Sequence, residues 1–154
     1  MTPAVRALEK AGVAYTVHEF GHIDGGRDYG LEAAAALALP PDQVFKTLVV
    51  RADGTLAVAI APVSSRLSLK AVAAALGAKR AVMGDPAVAE RATGYVVGGI
   101  SPFGQRKRLT TVVDESAELF DAIYVSGGRR GLELGVAPAD LVIVLAARVA
   151  RITV

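Results

Sequence analysis

The sequence predicts one α+β domain built on a mixed, mainly antiparallel sheet with packed helices. Three observations predict it. Strand patterns outnumber helical ones, hairpin signals mix with helical connections, and 154 residues of 53% hydrophobic content suffice for one continuous core. A parallel doubly wound sheet would show a more regular strand–helix alternation. Neither an internal repeat nor a low-complexity linker divides the chain, so residues 1–154 read as a single domain.

Thr2-Pro3 is a cap residue followed by a proline at the first helical position, and Val5, Leu8 and Gly12 fit a short amphipathic helix. Tyr15–Phe20 reads as a strand and Gly21–Tyr29 as a glycine- and charge-rich loop. A helix is expected from Leu31 to Leu39, stopped by Pro40 and Pro41. Val44–Arg51 and Leu56–Ala61 form strands about an Asp53-Gly54 turn. Ser68 caps a helix ending near Gly77, and Lys79–Val82 is a short strand. Asp85-Pro86 repeats the cap-plus-proline signal for a helix ending near Arg91. Beyond the loop at Gly98–Gly104, strands are expected at Thr110–Val113, Ile123–Val125, Leu132–Leu134 and Val149–Val154, with a helix at Pro138–Leu145.

Composition removes several kinds of chemistry. The chain contains no cysteine, which excludes a disulfide, a thiolate metal site and a Cys nucleophile together. Its two histidines, His18 and His22, cannot make a three-histidine site. A pairing of His22 with Asp24 is a spacing that chance supplies often, so neither metal nor cofactor is expected. Arg6, Glu9 and Lys10 interrupt any secretory signal, and Leu56–Val63 and Leu141–Val149 are too short to span a bilayer. No membrane partner and a cytoplasmic location are therefore expected. Seventeen Lys plus Arg against fifteen Asp plus Glu leave a net charge of only +2. The basic runs Arg106–Arg108 and Arg129-Arg130 suit either solvated turns or, meeting at one pocket mouth, a phosphodiester.

Lys46 stands out because it interrupts the apolar run Val44–Val50, where a buried ammonium is costly. It can snorkel to solvent, contact an anionic group in a cleft, or form a Schiff base. Gly98, Gly99 and Gly104 permit close backbone approach, and Pro102 fixes part of that loop's path. The loop lacks both the dinucleotide fingerprint and the P-loop ending, leaving an anion or carbonyl cradle and a plain turn as its readings. Ser126 ends a strand beside Gly127 and Gly128, with no nucleophile elbow around it; ligand hydrogen bonding and simple strand termination both fit better. Asp114 and Glu115 read as turn residues, and no carboxylate pair marks acid–base work.

Three segments together are identified with a known family. Val44–Leu48, Gly94–Gln105 and Ile123–Gly131 resemble the YbaK family of bacterial aminoacyl-tRNA deacylases, relatives of the editing domain inserted in prolyl-tRNA synthetase. The resemblance runs from Thr2 to the last strand and looks closest to the branch that clears cysteine from proline tRNA. It implies the fold of the YbaK and prolyl-tRNA synthetase-associated domains, here expected to be partly barrel-like. It also implies that Lys46 engages the terminal adenosine or a backbone phosphate and helps position the ester. Gly98, Gly99, Ile100, Ser101 and Pro102 match the loop that positions the aminoacyl-adenosine end. Ser126, beside Gly127, and Thr47 match small hydroxyl residues of the amino-acid pocket, and Arg129 is a candidate contact to the acceptor stem.

The family mechanism for cysteine is substrate-assisted: the substrate's own thiol attacks its ester carbonyl, which suits a protein without Cys. The cysteine-specific branch carries Tyr at the end of the first strand and Phe in the next loop. Here the order is Phe20 then Tyr29, which keeps an apolar wall and moves the hydroxyl. The implied function is trans-editing of Cys-tRNA(Pro), with Cys-tRNA(Cys) as a second substrate. A deacylase for another small amino acid such as alanine, and a non-catalytic module gripping acceptor ends, are the alternatives. The implied partners are the tRNA acceptor end and, because so small a chain has little surface for reading a whole tRNA, prolyl-tRNA synthetase.

Overall fold

The computed structural model describes residues 1–21 and 28–154. Its elements match the sequence signals closely. α1 (Pro3–Ala11) starts where the Thr2 hydroxyl accepts from the Val5 amide and stops at Gly12 in the left-handed conformation. Its buried face, Ala4, Val5 and Leu8, joins the main core. β1 is Thr16–Glu19, and α2 (Tyr29–Ala36) begins two residues before the expected start because Asp28 caps it, accepting from Leu31. β2 (Phe45–Ala52) and β3 (Thr55–Pro62) form the hairpin, with Asp53 and Gly54 both at positive φ, the pattern of a primed two-residue turn. Next come α3 (Leu69–Ala75), β4 (Ala81–Met83) and α4 (Pro86–Thr93), the helices capped by Ser68 and Asp85. β5 (Thr110–Asp114), β6 (Ile123–Ser126), β7 (Leu132–Val136), α5 (Pro138–Leu145) and β8 (Arg148–Ala150) complete the order. Short 3-10 turns at Pro41–Gln43 and Glu115–Leu119 were not legible in the periodicity.

The strands divide into two sheets, one ordered β1-β7-β6 and the other β4-β2-β3-β5-β8. Four of the six strand pairs are antiparallel; β3–β5 and β5–β8 are parallel. The expected barrel-like closure is not there. Closing a sheet requires its outer strands to pair continuously. Among the described residues the two sheets meet through one isolated parallel bridge, Val44 to Tyr124, and the α+β mixed sheet stays open.

β3 lies in the middle of the larger sheet, and its two faces feed different cores. Val58 and Ile60 join Phe45, Val49, Phe103, Val125 and Leu134 on one side. Ala57, Ala59 and Ala61 pack with Val72 and Ala73 of α3 on the other, where small side chains let the helix approach closely.

The edge of β2 is only partly covered. β4 pairs with β2 only over Val50–Ala52. At Gly84 the chain turns away after one further amide bond to the Val49 carbonyl. A Cβ at Gly84 would lie 2.9 Å from that carbonyl oxygen, so glycine is what lets the strand leave so tightly. The stretch from Phe45 to Val49 is thereby left between β4 on one side and β6 on the other, and a cleft opens there.

Candidate active site

The cleft, about 320 Å³ in volume, is floored by Phe45–Val49 of β2. Met83, Gly84, Pro86 and Ala89 form one wall; Tyr29, Val97, Gly98 and Ile100 form another; Ser126 and Glu133 close it from β6 and β7. Six of the residues expected from the sequence meet in this space: Lys46, Thr47, Tyr29, Gly98, Ile100 and Ser126.

Their environments differ. The Lys46 ammonium donates to the Ser65 carbonyl at 3.0 Å, which leaves two further N–H groups for another acceptor. The Thr47 hydroxyl is buried with no partner among the described residues, an arrangement that costs free energy until something in the cleft bonds to it. Thr47 shares its strand face with Phe45 and Val49, by alternation opposite to that of Lys46. The Ser126 hydroxyl oxygen accepts from the Gly128 amide at 3.2 Å and keeps its own proton to donate.

The glycine–proline loop is split between two jobs. Gly98, at φ +90°, lies so close to the Tyr29 ring and to Arg130 that a Cβ there would come within 2.7 Å of the ring and 2.8 Å of Nε. Arg130 donates from Nε and Nη2 to the Val97 carbonyl, at 3.0 and 2.7 Å, while its guanidinium carbon sits 4.5 Å from the Tyr29 ring centroid. Loop, helix and glycine turn are clasped together at the cleft mouth.

The remaining loop residues point elsewhere. The Gly99 amide donates to Val96, so it reaches a substrate oxygen only if that turn breaks. Ser101 is fully buried and accepts from the Phe103 amide. Pro102 lines a separate groove with Phe103, Gly104, Lys107 and Arg108. The Tyr95 hydroxyl donates to the Phe103 carbonyl at 2.6 Å and secures that end of the loop.

Phe20 reaches a narrow crevice beside the cleft, shared with Tyr29, Gly98, Arg130 and Glu133. Gly127 is a packing glycine: a Cβ there would lie 2.6 Å from the Leu132 side chain. Arg129 is exposed and pairs with Glu19 at 3.3 Å. The basic run Arg106–Arg108 is exposed, with Lys107 and Arg108 on the Pro102 groove rather than on the cleft. His22 and Asp24 lie outside the described residues.

Glu133 is the residue that sequence reading missed. It sits on β7, pairing with His18 of β1 and Ser126 of β6, and is only 7% exposed. Burial pushes its carboxyl up to about 8. The signal was present as a lone acid inside the apolar run Leu132–Val136, the same kind of interruption that singled out Lys46.

A correction concerns Asp114, expected in a turn. It ends β5 at 2% exposure, and its carboxylate accepts from the Ser116 and Ile152 amides at 3.2 and 2.9 Å. It is a structural cap joining β5 to the final segment.

Comparison with known proteins bears on the family and the fold. Residues 27–143 match the family model described as the aminoacyl-tRNA editing domain. Over 153 residues, 99% of this chain and 93% of the relative, the sequence is 34% identical to EbsC of Enterococcus faecalis, named as a candidate Cys-tRNA(Pro)/Cys-tRNA(Cys) deacylase. A crystal structure described as a candidate trans-editing enzyme for prolyl tRNA synthetase superposes with a TM-score of 0.86 at 23% identity, covering 100% of this chain and 99% of that one. The same fold makes up 31% of a candidate signal transduction protein from Marinobacter aquaeolei, with a TM-score of 0.67 at 18% identity over the whole of this chain. With three quarters of its length matched by the editing model and nearly all of it aligned to a deacylase relative, the chain belongs to the aminoacyl-tRNA editing family, the YbaK-type deacylases that remove amino acids from wrongly charged tRNA.

Proposed function

We propose that this protein removes cysteine from Cys-tRNA(Pro) in trans, with Cys-tRNA(Cys) as a second substrate, by holding the ester for attack by the substrate's own thiol. The observation that carries this reading is the cleft itself. It gathers a lysine, two hydroxyls and glycine backbone around a space that, among the described residues, no histidine lines, and the chain has no cysteine nucleophile. An aminoacyl ester is already activated, so orientation supplies much of the acceleration. The thiol sulfur bonds to the ester carbonyl carbon, the bond from that carbon to the ribose oxygen breaks, and the thiol proton passes to that oxygen. The products are a cyclic thiolactone and free tRNA.

Chemistry assigns the roles within the cleft. Lys46, with two N–H groups beyond its bond to Ser65, suits a phosphate or adenosine contact at the acceptor end. Thr47 and Ser126 offer hydroxyls to the amino-acid side, and Gly98, packed against Tyr29 and Arg130, lays bare backbone on the cleft for the ester. Phe20 and Tyr29 supply an apolar flank. Arg129 and the run Arg106–Arg108 are contacts to acceptor-stem phosphates, exposed as such contacts need to be. Prolyl-tRNA synthetase is the partner that supplies tRNA selection, and the cytoplasm is where both are found. Among the described residues no helix is long and apolar enough to cross a membrane.

The testing experiment is time-resolved deacylation of Cys-tRNA(Pro), Ser-tRNA(Pro) and Ala-tRNA(Pro) side by side. Rapid loss of the cysteine ester alone is expected, with Lys46→Ala slowing it by about a hundredfold or more, the scale of one lost charge-assisted contact in a dry site. Equal loss of the serine ester would reject thiol attack. Loss of the alanine ester alone would assign the enzyme to a different amino acid.

A further inference from the structure

Glu133 lines the cleft, and thiol attack on the ester gives it no task. It stands on the middle strand of the smaller sheet, with His18 across from it on β1 and Ser126 on β6. It borders both the main cleft and the crevice under Tyr29 and Gly98. Among the described residues no donor reaches its carboxyl group. Of the charged groups lining the cleft and the crevice, Lys46 is engaged with the Ser65 carbonyl, Asp28 with the first turn of α2 and Arg130 with the Val97 carbonyl, and Glu32 is a further acid. His18 meets the Thr16 hydroxyl and the edge of Tyr124. The carboxyl opens on the cleft with no protein donor, so a ligand that displaces water there and brings its own donor meets a free acceptor.

An aminoacyl ester brings such a donor. Its α-amino group is one carbon away from the ester carbonyl, so whatever holds the amine also fixes the carbonyl's direction. We propose that Glu133 binds the free α-amino group of the aminoacyl ester, so that the cleft accepts aminoacyl-tRNA and rejects esters whose amino group is acylated. This rests on the deacylase reading and adds a second selectivity to it.

The acid–base match favours the pair. Burial pushes the Glu133 carboxyl up, and an ammonium brought beside it favours the ionised form again, so the bound pair carries no net charge in the cleft. An N-acylated amino group is neither basic nor small. Peptidyl-tRNA and N-acylated initiator species, which carry valuable cargo on the same ester, would therefore escape cleavage. Ser126, paired with Glu133 across the two strands, has its Cβ roughly 5 Å away on the same face, where its hydroxyl flanks the bound amine.

The test uses a stable probe, adenosine carrying cysteine at the 3′ position through an amide, with the amine either free or acetylated. Calorimetric titration of the wild-type protein should show the free amine binding about ten- to a hundredfold more tightly, the range of a charge-assisted hydrogen bond. Glu133→Gln should erase most of that preference and leave the acetylated probe unchanged. Equal affinity of the two probes, no binding of either, or an equal loss for both in the variant would each overturn the proposal. The wild-type comparison needs no variant, so a misfolded Glu133→Gln does not obscure it. Cleavage of Cys-tRNA(Pro) with equal probe affinities would sink only this inference; probe discrimination without cysteine ester cleavage would sink only the deacylase reading.

Discussion

Two carboxylates are buried almost equally in this protein, and the molecule treats them in opposite ways. Asp114, at the end of β5, accepts from two backbone amides and ties the larger sheet to the final segment. Glu133, in the middle of β7, has no donor among the described residues and faces a cleft. Burial alone therefore does not tell a structural acid from a binding one. What separates them is whether the fold has already spent the acceptor.

The sharpest way to break that comparison is to remove the satisfied acid. Asp114→Ala strands the Ser116 and Ile152 amides and should cost about 3 kcal/mol, read as a lower denaturant midpoint. A loss below roughly 1 kcal/mol would mean that water replaces the carboxylate and that Asp114 is no cap.

Glu133→Gln tests the other half through pH. The unfolded carboxyl ionises near 4.5 and the folded one only at about 8, so between those values the folded state holds the extra proton. Wild-type stability should thus fall as pH rises from about 5 to about 8 and then level off. The variant has no such slope, so its advantage over wild type should grow across that window to on the order of 1–3 kcal/mol. Parallel melting curves for the two proteins from pH 5 to pH 9 would show that a donor already satisfies Glu133.

The smallest effect belongs to an exposed acid. Glu19 pairs with Arg129 at 3.3 Å, but the side chains are 68% and 51% exposed. Arg129→Ala should change stability by less than about 0.5 kcal/mol. The same variant should weaken binding of the tRNA and flatten its salt dependence if Arg129 meets an acceptor-stem phosphate. A large stability loss with unchanged tRNA affinity would reverse that assignment.

The helix starts were legible because their signals are local: Thr2-Pro3, Ser68 and Asp85-Pro86 each satisfy amides within one turn. The Asp53-Gly54 hairpin was legible for the same reason, since two adjacent residues must both take positive φ. Lys46 and Thr47 could be singled out within β2, but not their different fates. The Ser65 carbonyl that holds Lys46 and the unpartnered hydroxyl of Thr47 depend on segments distant in the chain. Ser101 and Gly99 look like their neighbour Gly98 in sequence, yet only packing against Tyr29, Arg129 and Phe103 divides the loop into a cleft side and a core side.

By itself, then, the sequence determined where most helices and strands lie though not all their bounds, the absence of a cysteine in the protein, and a family resemblance carried by three separated segments. Tertiary structure alone decided that the sheets stay open, that β4 leaves β2 at Gly84 to expose a cleft, and that Glu133 rather than Asp114 has no donor among the described residues. The physical reason is range. Caps and turns are settled by neighbours along the chain, whereas a strand edge left free or a carboxyl left facing a cleft is defined by what fails to arrive from elsewhere in the fold.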